Sequence, residues 1–248
     1  MEVMMPVIYL SPSTQEFNQF VNGGTEEQYM NLIADHMIPY LRANGIQFTR
    51  NTPEMNAGSS IRQSNQGNYD LHLAIHSNAS GEGMSGANRG TVIYYYPTSS
   101  RGKRAAEIIE ENFKKIYPMP ELVKTLPITT LGEVSRTKAP SVLVEVAYHD
   151  NIEDANWIKN NIDLIAQTLV ASVNEYLNTQ GKVPQPGRKG TVTLQSGYLN
   201  IRSEPSLSSP VIKMVPNGAT VNILGTSGDW YQVEYNGTVG YAYSQYIK

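Results

Sequence analysis

The sequence contains no cysteine. Disulfides and thiolate metal ligands are therefore both excluded, and any metal centre has to use nitrogen and oxygen donors. A basic excess is also missing. The 19 Lys and Arg residues stand against 22 Asp and Glu, for a formal net charge of -3, which is not the pattern of a nucleic-acid binder. No apolar run approaches the roughly 20 residues of a membrane-spanning helix, so membrane insertion is not expected. The opening Met1-Glu2-Val3-Met4-Met5-Pro6 shows no basic region followed by a long apolar one. We therefore expect no signal peptide and synthesis in the cytoplasm. Internal repeats and low-complexity tracts are absent as well. What remains is ordinary: hydrophobic residues make up 40% and charged residues 17% of 248. That balance supports at least one sizeable core and one or two domains.

Two textures divide the chain. Over residues 1–178, short apolar runs alternate with helical patterns. Val7-Ile8-Tyr9-Leu10 is a strand-like run ended by Ser11-Pro12-Ser13. Met30, Ile33, Ala34, Met37 and Leu41 recur at helical spacing between Thr25 and Asn44. Thr25 with Gln28 resembles a capping box, Pro39 should kink this helix, and Gly45 should stop it. Leu71–Ile75, Thr91–Tyr96 and Val142–Ala147 read as strands, the last buried on both faces. Ala105, Ile108, Ile109, Phe113 and Ile116 mark a second amphipathic helix. A last helix carries Ile158, Ile162, Ile165, Ala166, Leu169 and Val173. This alternation predicts an α/β domain whose twisted, largely parallel sheet is flanked by helices. Residues 179–189, rich in Pro, Gly, Lys and Gln, read as a linker. Residues 190–248 change to short β-like runs with turn signals at Pro216-Asn217-Gly218 and Asn236-Gly237, predicting a small all-β barrel.

Six positions carry chemical interest. Glu145 sits inside Val-Leu-Val-Glu-Val-Ala, where an ionised side chain is costly to bury without a partner. It must face a cleft, a cation or metal, or a structural ion pair. His76 ends the run Leu71–Ile75, where open α/β sheets place their ligands; a satisfied polar neighbour is the plainer alternative. His72, four residues earlier, points to the same face. Glu26 and Glu27 open the first long helix, where acids offset the helix dipole. Of the two, Glu26 lies nearer the apolar face. His36 falls on the side of that helix away from the core stripe and is expected to be solvated.

In this order, the pieces resemble a family of zinc amidases over about residues 6–178. Ala74–Ala79 looks like the family's strand-end segment, whose histidine binds zinc, and Ala139–Asn151 looks like the segment with its catalytic glutamate. Matching the first helix places a glutamate ligand at Glu26. The resemblance thus implies a phosphorylase/hydrolase-like fold, zinc as cofactor, His76 and Glu26 as ligands and Glu145 as the catalytic residue. One departure is plain. Where the family opens with Gly-His-Gly, this sequence reads Leu10-Ser11-Pro12-Ser13-Thr14-Gln15. Gln15 can supply a side-chain oxygen as third ligand, although imidazole is the better zinc donor. A subgroup of the family shares the Ser-Pro-Ser start. Glu27 and His149 are the alternative ligands, and Asn78 and Arg136 are candidates for substrate binding; Arg136 also reads as a plain surface arginine.

Tyr198–Ser206, Gly228–Val233 and Gly240-Tyr241-Ala242 resemble a bacterial Src-homology-3-like domain, a family that binds peptidoglycan. Tyr198, Tyr231, Tyr241, Tyr243 and Tyr246 are the aromatics from which a wall contact would be drawn. Together the two resemblances imply hydrolysis of the amide between N-acetylmuramic acid and L-alanine. The setting would be that of an endolysin of a Gram-positive host, released through a membrane lesion, or of an autolysin. Two alternatives stay open: an inactive peptidoglycan-binding protein, favoured by the missing first histidine, and a zinc peptidase of the stem peptide.

Overall fold

The computed structural model describes residues 5–177, 189–227 and 229–248. Its contacts separate the chain into two compact units, Met1–Gly181 and Lys182–Lys248. The linker expected over 179–189 lies outside the described residues, apart from Lys189.

The first unit opens with β1 (Val7–Pro12), followed by α1 (Glu26–Ala43). The side chain of Thr25 caps α1 by accepting from the Gln28 amide at 3.1 Å. Pro39 does not end the helix, which continues to Ala43. The end is made by Gly45 at φ +68°, with Gly45 N–H on the Arg42 carbonyl and Ile46 N–H on the Leu41 carbonyl. This paired closure needs a left-handed residue, which glycine supplies without a Cβ clash. Then come β2 (Gln47–Arg50), α2 (Ala57–Gln66), β3 (Leu71–Asn78), β4 (Val92–Tyr95), α3 (Ser100–Phe113), β5 (Lys124–Pro127), α4 (Gly132–Ser135), β6 (Ser141–Tyr148), α5 (Ile152–Asn160) and α6 (Ile162–Leu177).

The strands form one sheet in the order β2-β1-β3-β6-β4-β5. All neighbours are parallel except β4 against β6, so the sheet is mixed but largely parallel. Residues on both faces of β3 and β6 are buried, as near-continuous apolar runs require. Helix α6 packs against α1 and α3, while α2 packs against α4, which rests on β6.

Two expectations are corrected here. The last helix is two, α5 and α6, divided at Asn161, whose non-helical backbone (φ -128°, ψ 23°) lets Trp157 and Ile158 pack separately from Ile165 and Leu169. His36 is not simply solvated: its Nδ1 lies 3.2 Å from Asp163 on α6, and Tyr40 and Gln167 bond the same carboxylate.

The second unit comprises β7 (Lys189–Thr191), β8 (Tyr198–Arg202), β9 (Val211–Pro216), β10 (Thr220–Ser227), β11 (Trp230–Tyr235) and β12 (Thr238–Tyr243), followed by a 3-10 turn at Ser244–Tyr246. The paired strands are antiparallel throughout, in the order β7-β10-β11-β12-β8-β9. Val192, Ile201, Val215, Val221, Val233, Ala242 and Ile247 share one core. Strands from opposite ends of the order thus meet, so the sheet rolls upon itself. The hairpin from β11 to β12 turns at Asn236 (φ 48°) and Gly237 (φ 75°), the left-handed pair that a two-residue turn demands.

Among the described residues, no helix is long and apolar enough to cross a membrane.

Candidate active site

Strand register brings the first two side chains together. On β3, residues 72, 74 and 76 point to one face; on β6, residues 141, 143 and 145 do the same. The pairing sets His72 against Ser141, Ala74 against Leu143 and His76 against Glu145. Ala74 and Leu143 are covered by Val134 and form a small apolar floor. His76 and Glu145 stand beside that floor, near the C-terminal ends of their strands, where such sheets hold ligands.

Glu26 comes from the first turn of α1 and is 1% exposed. One of its carboxylate oxygens, Oε1, lies 2.8 Å from His76 Nδ1 and accepts the Ser77 amide at 3.3 Å. The other, Oε2, accepts from Asn18 Nδ2 at 2.6 Å. Gln15 arrives on the loop after β1. Its amide nitrogen is 3.3 Å from the same His76 Nδ1, and its oxygen accepts from Asn18 at 3.1 Å. Gln15 and Glu26 therefore meet at one edge of the His76 ring, and Glu145 is the neighbour of His76 across the strand pairing.

The opposite edge meets a residue that sequence reasoning missed. Glu133, on α4, sets Oε2 3.1 Å from His76 Nε2 and Oε1 3.3 Å from His72 Nε2. The Ser11 hydroxyl also donates to Oε1 of Glu133. Nothing in Leu-Gly-Glu-Val-Ser-Arg marks this glutamate as buried, because a four-residue helix is too short to show periodicity.

These contacts set the charge states. Burial pushes the Glu133 carboxyl up, but the bonds from His72 and His76 more than offset it and bring it down to about 2. For Glu26, burial is likewise outweighed by the His76 bond, with help from Asn18 and Ser13, and the pKa falls. Without a metal, burial disfavours the charged His76 ring, yet bonds to Glu133 and Glu26 raise it well above the usual histidine range. Glu145 goes the other way. Burial raises its pKa to about 7, against the pull of His76 and with a smaller push from Glu26. Its Oε2 is buried and has no hydrogen-bond partner among the described residues.

The remaining candidates lie elsewhere. Glu27 is half-buried beside Glu26 on α1, one step round the helix. His149 turns to Ser77, with Nδ1 3.0 Å from its hydroxyl and 3.1 Å from its carbonyl, and stacks on Phe20. Asn78 ends β3 and bonds the Ala79 amide next to it. Arg136 is exposed at the end of α4. None of these four is gathered around His76 Nδ1.

Whether the gathered set fits zinc can be judged from its donors. Among the described residues, no group of three or more His, Asp or Glu side chains is placed to hold a metal ion. Glu26 and His76 supply two donors of the kinds zinc prefers, and a turn of the Gln15 amide would present its oxygen as the third. The buried Glu145 Oε2 on the neighbouring strand has no partner among the described residues, which is the kind of group a bound ion or water satisfies. The set fits a metal site with an amide in place of one imidazole.

In the second unit, Tyr198, Arg202, Leu207, Trp230, Tyr243 and Tyr246 line a groove of about 500 Å³. Tyr243 meets Trp230 edge-on and Tyr246 at a tilt. Of the five candidate aromatics, Tyr231 and Tyr241 are not part of this wall; Tyr231 packs against the core instead.

Comparison with known proteins gives two family matches. Residues 13–175 match the family described as N-acetylmuramoyl-L-alanine amidase, and residues 197–248 match the bacterial SH3 domain. No curated protein matches the chain. Several solved structures share the fold of the first unit. The N-acetylmuramoyl-L-alanine amidase AmiC2 of Nostoc punctiforme is 17% identical, with a TM-score of 0.61 over 71% of this chain and 98% of its own. Cwp6 from Clostridium difficile is 22% identical, with a TM-score of 0.62 over 71% of this chain and 30% of its own. The catalytic domain of the CD27L endolysin targeting Clostridia difficile is 21% identical, with a TM-score of 0.56 over 71% and 98%.

Proposed function

The chain belongs to the N-acetylmuramoyl-L-alanine amidase family, and from that premise we propose a zinc-dependent hydrolysis carried out by Glu145 beside a Gln15–Glu26–His76 metal site. The bond is the peptidoglycan amide that joins the lactyl group of N-acetylmuramic acid to L-alanine. When bound, zinc would polarise the substrate carbonyl and acidify a water. The residues do the rest. His76 Nδ1, the Glu26 carboxylate and the Gln15 amide oxygen would hold the metal. Glu145 takes the water proton on Oε2 and returns it to the departing amine, so that one base serves both halves of the reaction. Its position on a central strand keeps that oxygen fixed in the absence of bound substrate.

The buried, unpartnered Glu145 Oε2 opposite His76 carries this reading. A merely structural glutamate in a strand core would be paired. The bacterial SH3 unit supports a polymeric wall substrate, with the aromatic groove as its contact.

The test is elemental analysis combined with lysis of purified cell walls, for wild type, Glu145→Ala, His76→Ala and Gln15→Ala. We expect about one zinc per wild-type chain, zinc without lysis in Glu145→Ala, and loss of both in His76→Ala. Loss of zinc in Gln15→Ala assigns the third ligand. Newly exposed L-alanine amino groups identify an amidase, whereas an internal amino group would identify a stem-peptide peptidase. A wild type that neither binds zinc nor lyses walls would sink the proposal and leave a wall-binding protein.

A further inference from the structure

The mechanism uses one edge of the His76 ring, and Glu133 on the other edge is left without a role. Glu133 is 5% exposed and its two oxygens have three partners: His76, His72 and the Ser11 hydroxyl. His72, itself fully buried, is held in turn by Ser64, 2.9 Å from its Nδ1. Burying a carboxylate this deep is costly unless its geometry serves something, because an apolar residue would fill the same space at lower cost.

That geometry acts on His76. Each ring nitrogen faces a carboxylate: Glu26 lies 2.8 Å from Nδ1 and Glu133 3.1 Å from Nε2. With a metal held at the Glu26 and Gln15 edge by Nδ1, the one proton left on the ring would sit on Nε2, where Glu133 is placed to accept it and fix the ring. The Ser-Pro-Ser segment stands where the resemblance expects Gly-His-Gly, and it contributes to the same arrangement. Ser11 donates to Glu133, while Ser13 supports Glu26. The segment that omits a histidine therefore supplies a hydroxyl to each carboxylate flanking the one that remains.

We propose that Glu133, locked by Ser11 and His72, is a positioning residue that fixes His76 with its proton on Nε2 and presents Nδ1 to the metal, strengthening a site that has an amide in place of one imidazole. Such carboxylate–histidine pairs orient the ring and raise its basicity as a ligand. This inference rests on the zinc reading above.

The experiment uses the full chain. Zinc affinity is measured by competition with a chromophoric chelator for wild type, Glu133→Gln, Ser11→Ala and the helix-cap control Thr25→Ala. The His76 tautomer is read from long-range nitrogen–proton NMR couplings in the zinc-loaded protein, and folding is checked by circular dichroism and thermal melting without metal. We expect Glu133→Gln to weaken zinc binding by about 10–100-fold. Ser11→Ala should weaken it less, and Thr25→Ala should leave it unchanged while lowering the melting temperature. His76 should carry its proton on Nε2 in the zinc-loaded wild type, and in Glu133→Gln that proton should resonate upfield and exchange faster, because its bond to a carboxylate is lost. If Glu133→Gln fails to fold, Ser11→Ala and the wild-type tautomer decide. Wild-type affinity in folded Glu133→Gln and Ser11→Ala overturns the inference, as does a wild-type His76 protonated on Nδ1. A wild type that binds no zinc overturns the zinc reading and this inference with it. Tight wild-type binding with unaltered variants sinks the inference alone.

Discussion

Replacing Glu145 with glutamine preserves the volume of the side chain and removes its basic oxygen. If that oxygen is the proton acceptor, kcat should fall by about 10²–10⁴-fold while zinc content and melting temperature stay near wild type. The pH dependence follows from the same atom. A base works only when deprotonated, so kcat/KM falls as pH drops through its pKa. Burial brings that value to about 7 without metal. A bound divalent cation favours the carboxylate and moves the acidic limb below this. A pH–rate profile for wild-type protein should therefore show an acidic limb at or below pH 7; a rate that is level down to pH 4 would exclude Glu145 as the base. His76 and Glu145 could be singled out from sequence because each is an ionisable group at a strand position surrounded by Val, Leu and Ile, where its cost is visible. Glu133 could not. Its burial depends on tertiary packing that sets α4 against β6 and α2, and its neighbours Gly132 and Ser135 look like those of any surface turn.

At the level of elements, one carboxylate ties several together. Asp154, in the first turn of α5, is fully buried. It accepts from Arg89 Nε at 3.0 Å and the Tyr117 hydroxyl at 2.6 Å on one oxygen, and from the Gly90 and Tyr148 amides at 3.0 and 3.1 Å on the other. Removing it orphans two backbone donors and a tyrosine hydroxyl around the end of β6. Asp154→Ala should cost about 3 kcal/mol in urea unfolding; a loss under about 1 kcal/mol would mean that water replaces those bonds. Thr25→Ala, which removes only the α1 cap, should cost about 1 kcal/mol. The elements with clear apolar periods, α1, α3, β1, β3, β4 and β6, could all be read from sequence. The polar helix α2 could not: in Ala-Gly-Ser-Ser-Ile-Arg-Gln-Ser-Asn-Gln only Ile61 is apolar and buried. It is held by the reciprocal Asn56–Ser59 cap and by buried serines instead. The edge strands β2 and β5 are four residues each, the first mostly half-buried and the second mostly exposed, so they exist because β1 and β4 offer them an edge.

For the whole molecule, the two family matches join a hydrolytic unit to a bacterial SH3 unit in one chain. Their architectures were legible because texture changes abruptly: alternating strand and helix patterns give way to closely spaced turns. Linking a binding module to a catalytic one raises the local concentration of the active site at an insoluble polymer without altering the chemistry. That separation can be measured in the full chain by changing only the groove. Tyr198 is 62% exposed and Tyr246 38% exposed, and both line the groove that contains Trp230. Exposed rings in such numbers are costly surface unless something covers them, and stacking on sugar or peptide faces is what they do well. A Tyr198→Ala/Tyr246→Ala double variant should lose co-sedimentation with purified walls and lyse them at least about 10-fold more slowly, the factor corresponding to roughly 1.4 kcal/mol of binding. Its hydrolysis of a soluble muropeptide should match wild type, because no residue of the active site is touched. Equal losses on both substrates would point to a damaged fold. Unchanged co-sedimentation would move the wall contact away from this groove, to Tyr231, Tyr241 or another face of the second unit.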